Sequence, residues 1–226
     1  MKRTLVISDI HGEIDKFTRL LEKVSYNPGQ DQLILLGDYV DKGPDTRRVV
    51  EKVMQLHREG AIVLKGNHDH MMVNSFEGDP VFIERWFRNG ARATLSSYEH
   101  PGAASEAPAP ETLEITPLLE EHLSFLGGLQ TYYETEDTIF VHAGVHPSTP
   151  LAETDAYVLM WIRDEFHKGY RGSKTVVFGH TITETLHGKK EVYFGDNNII
   201  GIDGGAVYGG LLHCLELPGR NVYSVD

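Results

Sequence analysis

Three times in its first 69 residues the chain repeats one unit: a short apolar run, a loop of Gly, Asp, His or Asn, and then the start of a helix-spaced segment. Leu5 to Ile7 leads into Ser8-Asp9-Ile10-His11-Gly12, after which Ile14, Phe17, Leu20, Leu21 and Val24 recur at three- and four-residue spacing. Asn27-Pro28-Gly29 supplies a turn. Leu33 to Leu36 leads into Gly37-Asp38-Tyr39-Val40-Asp41-Lys42-Gly43; Pro44 then opens a second helix, with Val49, Val50, Val53 and Leu56 on one face and Gly60 as its stop. Ala61 to Leu64 leads into Gly66-Asn67-His68-Asp69. Apolar runs this short read as buried strands. Alternation with helices makes them parallel strands joined by crossovers, so the three polar loops fall on one edge of one sheet. That edge is where an open α/β sheet presents its chemistry.

The stretch 70–129 changes character. Residues 81–87, 91–98 and 113–126 have helical spacing, and 101–110 is a Pro/Ala linker. The expectation is one domain spanning 1–226, with 70–129 inserted as a helical cap. Strands return at 131–134 and 138–141, a hairpin whose second strand runs into His142-Ala143-Gly144, and at 174–178, which runs into Gly179-His180. A helix is expected over 155–167. Segments at 191–194, 199–202, 211–217 and 222–225 alternate with turn residues in an antiparallel pattern.

The formal charge of −12 argues against partners that need a basic surface, so neither nucleic acid nor an anionic membrane is expected. An anionic substrate remains open, because bound cations reverse a local field. The single cysteine, Cys214, lies in an apolar run and reads as a small buried residue. No apolar run approaches membrane-spanning length, and a cytoplasmic protein is the expectation.

Five strand ends carry the polar groups: Asp9 and His11; Asp38 and Asp41; Asn67 and His68; His142; His180. Each sits beside a glycine. Carboxylate, imidazole and amide without thiolate suit two divalent ions such as Mn, Fe or Zn rather than a structural zinc–cysteine site. Two ions sharing a carboxylate, roughly 3.5–4 Å apart, can clamp an in-line displacement at phosphorus.

These blocks, in this order, resemble the signature of the calcineurin-like metallophosphoesterases, and within them the phosphoprotein-phosphatase branch with its bacterial members, which include diadenosine tetraphosphatases. The tail Ile202-Asp203-Gly204-Gly205-Ala206-Val207-Tyr208-Gly209-Gly210 also resembles the bacterial members. The resemblance implies an α/β fold, a β-sandwich of two mixed sheets flanked by helices. It implies that Asp9 and His11 hold the first ion, that Asp38 bridges, and that Asn67, His142 and His180 hold the second. A hydroxide bridging the ions would be the nucleophile. His68 would protonate or stabilise the leaving oxygen, oriented by Asp41. Lys42, Arg163 and Asn67 would bind phosphate.

The chain departs from the family pattern at four places. Ser8 stands where Gly is usual, Lys42 where the branch has Arg, Asp69 where protein phosphatases have Glu, and Gly204 where bacterial relatives have Thr. Lysine lacks the bidentate fork of arginine. Arg163, in Met160-Trp161-Ile162-Arg163, matches the family's second phosphate-binding arginine, or is a surface residue paired with Asp164 and Glu165. Trp86 and Phe87, interleaved with Arg85, Arg88 and Arg92, read either as a base- or phosphopeptide-binding surface or as core aromatics beside a basic face. The leading expectation is a phosphatase acting on phosphoserine or phosphothreonine protein, favoured by the presence of Asp41. The alternatives are a bis(5'-nucleosyl)-tetraphosphatase or related nucleotide hydrolase, and a metal-bound interaction module without turnover.

Overall fold

The computed structural model describes residues 3–98 and 115–226. The linker at 101–110 and the first residues of the helix expected from 113 lie outside them. Two five-stranded mixed sheets form the centre. The first contains β1 (Arg3–Ile7), β2 (Asp31–Leu35), β3 (Ile62–Val63), β9 (Leu212–Leu217) and β10 (Asn221–Val225), in the order β10-β9-β1-β2-β3. The second contains β4 (Tyr132–Glu134), β5 (Thr138–Val141), β6 (Thr175–Phe178), β7 (Tyr193–Phe194) and β8 (Ile199–Gly201), in the order β4-β5-β6-β8-β7.

As the alternation requires, β1, β2 and β3 are parallel. The hairpin at 131–141 is present as the antiparallel pair β4 and β5. The antiparallel reading of the C-terminal strands is only partly correct. β7 pairs antiparallel with β8, and β9 with β10, but β8 runs parallel to β6. The connection from β6 to β8 carries a helix, α9 (Thr183–His187), and so is long enough to return the chain in the same direction.

The strands are covered on both faces, which is why they read as unbroken apolar runs. Val6, Ile34, Leu36 and Leu64 pack with Phe140, Val177, Ile200 and Leu215 in one buried cluster that joins the two sheets. The residues that alternate with them along the strands, Leu5, Ile7, Leu33, Leu35 and Val63, belong to a second cluster with Phe17 and Leu20 of α1 (Ile14–Lys23) and Val49 and Val53 of α2 (Thr46–Arg58). Each such side chain contributes roughly 1.5–3 kcal/mol on burial. A third cluster holds Val141, Val176 and Phe178 with Leu159, Phe166 and Tyr170.

Helices α3 (Asn67–Phe76), α4 (Pro80–Arg88), α5 (Ala91–Ser97) and α6 (Pro117–Gly127) follow β3. The Gly66-Asn67-His68-Asp69 block is therefore mostly the first turn of α3. The single helix expected over 155–167 is two: α7 (Ala156–Trp161) and α8 (Asp164–Gly169). The backbone turns at Arg163 (φ −133°, ψ −111°), which seats Phe166 in the third cluster and leaves Arg163 at the cleft described next.

Candidate metal centre

Of the nine non-glycine residues with left-handed backbone in the described chain, six are Asp9, His11, Asp38, Asp41, Lys42 and His180. Such conformations cost of order 1–3 kcal/mol each and persist only where the surroundings impose them. Here the loops hold one another. Asp9 N–H donates to the Gly37 carbonyl (3.2 Å), His11 N–H to that of Asp38 (2.9 Å) and Gly12 N–H to that of Tyr39 (3.0 Å). The buried Asp69 carboxylate accepts from the amides of Asp38 (2.8 Å), Tyr39 (3.0 Å) and Gly66 (2.9 Å), tying the second loop to the third. The amide of His180 donates to Asp9 Oδ2 (3.0 Å). Approach is close enough at Gly66 that a Cβ there would lie 2.1 Å from Asp38 Oδ1.

Asp38 is at the middle of the resulting cluster. Its Oδ2 lies 3.5 Å from His11 Nε2 and 4.0 Å from His68 Nε2, and its Oδ1 lies 3.4 Å from His142 Nε2. Two sets of donors thus share it, His11–Asp38–His68 and Asp9–Asp38–His142. Asn67 Oδ1 lies 2.9 Å from His142 Nε2. The Nδ1 atoms of His11 and His142 face the carbonyls of Val40 (2.7 Å) and Leu36 (3.0 Å). Those bonds fix the tautomer that leaves each Nε2 lone pair facing the centre, the usual device for orienting a metal-ligating imidazole. His180 Nε2 is buried with no hydrogen-bond partner, and its ring lies 5.1 Å from that of His142.

The electrostatics are those of a site built for cations. Burial, then the nearby carboxylates of Asp9 and Asp69, holds Asp38 well above the usual carboxylate range. Burial, then His68 and Lys42, pushes His11 well below the usual histidine range; burial, then His142 and Arg163, does the same to His180. An unpartnered imidazole nitrogen beside crowded carboxylates fits divalent ions, and the donors are the hard-to-borderline type such ions take.

His68 and Asp41 form a separate pair. His68 Nδ1 lies 2.7 Å from Asp41 Oδ2, and Asp41 Oδ1 accepts from Trp86 Nε1 (2.8 Å) and Thr94 Oγ1 (2.7 Å). Burial raises Asp41 to about 7 against the pull of those two donors and of Lys42. Burial, Lys42 and His142 also favour neutral His68. Trp86 is fully buried, so the core reading of this aromatic is the right one, and its indole serves Asp41. Lys42 Nζ lies 3.0 Å from His11 Nε2, and Arg163 Nη1 donates to Thr181 Oγ1 (3.1 Å). Both line a cleft of about 230 Å³ together with Asp9, His11, Asp38, Asn67, His68 and His180. His142 lies just beneath it, fully buried.

The structure adds residues that sequence reasoning passed over. Asp203, one residue past Ile202, lines the cleft, and its carboxyl is held high by burial and by Asp9. It carries the same signal as the others, an acid beside a glycine just past a strand. Thr94 carries no such signal, and the sequence shows Asp69 and Trp86 without the hydrogen bonds by which they hold Asp38 and Asp41. The Gly204 departure has a steric cause: a Cβ there would meet Leu211 O at 2.2 Å and His213 Nε2 at 2.6 Å. His213 itself is buried, bonded to Ser224 and the Lys190 carbonyl, and His122 to the Tyr98 hydroxyl, as structural histidines.

Residues 2–209 match the family model described as calcineurin-like phosphoesterase. The chain is 30% identical, over 97% of its length and 92% of the relative's, to the bis(5'-nucleosyl)-tetraphosphatase PrpE [asymmetrical] of Bacillus thuringiensis strain Al Hakam. It superposes with a TM-score of 0.72 and 26% identity on the crystal structure of a candidate diadenosine tetraphosphatase, covering 99% of this chain and 93% of the other. A serine/threonine protein phosphatase from Saccharomyces cerevisiae shares the fold, with a TM-score of 0.67 at 13% identity over 100% of this chain and 80% of that one.

Proposed function

Since the chain belongs to the calcineurin-like phosphoesterases, metal-dependent hydrolases with a dinuclear site, we propose that it hydrolyses a bis(5'-nucleosyl) tetraphosphate at one of its phosphoanhydride bonds. The observation that carries this reading is the sharing of Asp38 by two donor sets at the floor of a cleft that Lys42 and Arg163 also line. The choice of substrate rests on the likeness to tetraphosphatases, which spans nearly the whole chain. It replaces phosphoprotein as the leading expectation, because the likeness to serine/threonine phosphatases is one of fold alone. Asp41, the residue that favoured phosphoprotein in the sequence, is the partner of His68 and serves either reaction.

In this reading Asp9, His11 and Asp38 would hold one ion, and Asp38, Asn67, His142 and His180 the other; this division follows the family pattern, and Asp9, which also lies near His142, is placed with His11 on that ground. When bound, the ions supply Lewis acidity and lower the pKa of a water from 15.7 towards roughly 7. Lys42 and Arg163, with the Asn67 amide, orient and neutralise the phosphate chain; phosphoryl transfer asks mainly for such positioning. His68 is read as a proton donor rather than a ligand because its Nδ1 faces a carboxylate, which stabilises an imidazolium, where His11 and His142 face carbonyls, and because its Nε2 lies farther from Asp38 (4.0 Å) than theirs (3.5 and 3.4 Å). An anionic phosphate beside Nε2, with Asp41 behind Nδ1, favours the imidazolium that can donate. The chain acts as one domain, and α4 and α5 of the insertion buttress the His68 side of the cleft through Trp86 and Thr94.

The test is a substrate panel on metal-reconstituted protein: diadenosine tetraphosphate, a phosphoserine peptide and p-nitrophenyl phosphate. The expected result is release of ATP and AMP from the dinucleotide. Phosphopeptide turnover without dinucleotide cleavage would overturn the proposal in favour of a protein phosphatase. Silence on every substrate with both ions bound would favour an interaction module.

A further inference from the structure

Tyr208 is the most exposed Phe, Trp or Tyr side chain among the described residues, with 63% of its surface open, and it lines the cleft. Its turn is firmly held. Tyr208 N–H donates to the Gly205 carbonyl (2.9 Å), Gly210 N–H to the same oxygen (3.0 Å), and Lys16 Nζ to the Ala206 carbonyl (2.7 Å). Lys42 Nζ lies 5.3 Å from the ring centre and 3.0 Å from His11 Nε2, so one lysine side chain links the ring to the metal-site donors. Ile182, Ala206 and Val207 also line the cleft; Ile182 packs near Gly205, and Ala206 and Val207 belong to the same turn as Tyr208. The other large aromatic of the cleft, Trp161, is already engaged: Tyr157 stacks on it at 5.5 Å and the Arg85 guanidinium lies 5.1 Å from its ring centre.

An open aromatic face on a hydrogen-bonded turn, beside the lysine read above as phosphate-binding, is what a 5'-nucleotide needs. We propose that Tyr208 is a nucleobase platform: the base of a nucleotide whose phosphate lies at the Lys42 end of the cleft stacks on its open ring face, against Ile182 and Val207. This rests on the nucleotide reading above and goes further, naming the residue that tells a nucleotide from another phosphate. Stacking of a base on an aromatic side chain is sequence-tolerant, so the platform favours nucleotides as a class over any one base.

The test compares AMP with ribose 5-phosphate, which has the same sugar and phosphate and no base. Calorimetric binding to the metal-loaded protein is measured for wild type, Tyr208→Ala and Tyr208→Trp. Wild type is expected to prefer AMP by about five- to a hundred-fold, the range of one base–aromatic stack. The preference should collapse in Tyr208→Ala and persist in Tyr208→Trp. Equal affinity of wild type for the two ligands, or a preference that survives Tyr208→Ala, overturns the platform. Because no turnover is read, the result is independent of the substrate panel. A protein that prefers AMP but leaves diadenosine tetraphosphate intact would keep the platform and sink the proposed reaction.

Discussion

Replacing Asp41 by Asn tests the proton path with little change of shape. Oδ1 of Asp41 accepts from Trp86 Nε1 and Thr94 Oγ1, whereas among the described residues Oδ2 hydrogen-bonds only with His68 Nδ1. The asparagine oxygen therefore stays where Oδ1 is, since an amide NH2 there would confront the indole N–H. Its NH2 takes the Oδ2 position and donates to His68 Nδ1. His68 is thereby locked as the neutral tautomer with its proton on Nε2, and the imidazolium loses its carboxylate. General acid catalysis typically contributes 10²–10⁴-fold, about 3–5 kcal/mol of barrier. The full loss should appear with a poor leaving group, such as the alkoxide of an alkyl phosphate. It should shrink with diadenosine tetraphosphate, whose leaving group is itself a phosphate anion and needs little protonation. The assay is kcat for Asp41→Asn on both substrates, alongside metal content and circular dichroism. If kcat falls less than about threefold on the alkyl phosphate with both ions present, the Asp41–His68 pair does not deliver the proton. Loss of metal would show instead that His68 is a ligand.

Arg163→Ala should raise KM for phosphate substrates by about tenfold or more, the scale of a charge-assisted hydrogen bond, while steady-state kinetics show kcat less affected and elemental analysis shows metal unchanged. Gly204→Thr should destabilise the fold by about 1–3 kcal/mol in a urea titration, since the new Cβ meets a backbone carbonyl as well as the His213 ring. Cys214 is buried, and burial pushes its thiol up to about 12. It should resist a thiol reagent at pH 8 in the native protein, and one thiol per chain should titrate after denaturation.

Much of the site could be read from the chain because parallel strands bring distant loops to one edge. Asp9, Asp38, Asn67, His142 and His180 lie far apart in sequence, yet each follows a strand. The left-handed backbone of Asp9, Asp38 and His180 was not legible, because it is imposed by hydrogen bonds between loops rather than by local preference. Neither were the supports of Asp41: Trp86 and Thr94 come from helices whose own pattern says only that one face is buried. The break at Arg163 was missed because apolar spacing runs on through it; the turn reflects where Phe166 packs. The parallel pairing of β8 with β6 is set by the crossover between them, and a strand pattern alone does not reveal its partner.

Whether one carboxylate, Asp38, joins two ions is decided by metal stoichiometry. Wild-type protein and Asp38→Asn are reconstituted with a divalent metal, desalted and measured by elemental analysis against protein concentration, with anomalous scattering from crystals to locate the ions. Asp38 belongs to both donor sets, so wild type should hold two ions per chain and Asp38→Asn should be depleted in both positions. One fully occupied ion in the Asp38→Asn variant, or a wild type that binds only one, would contradict the account.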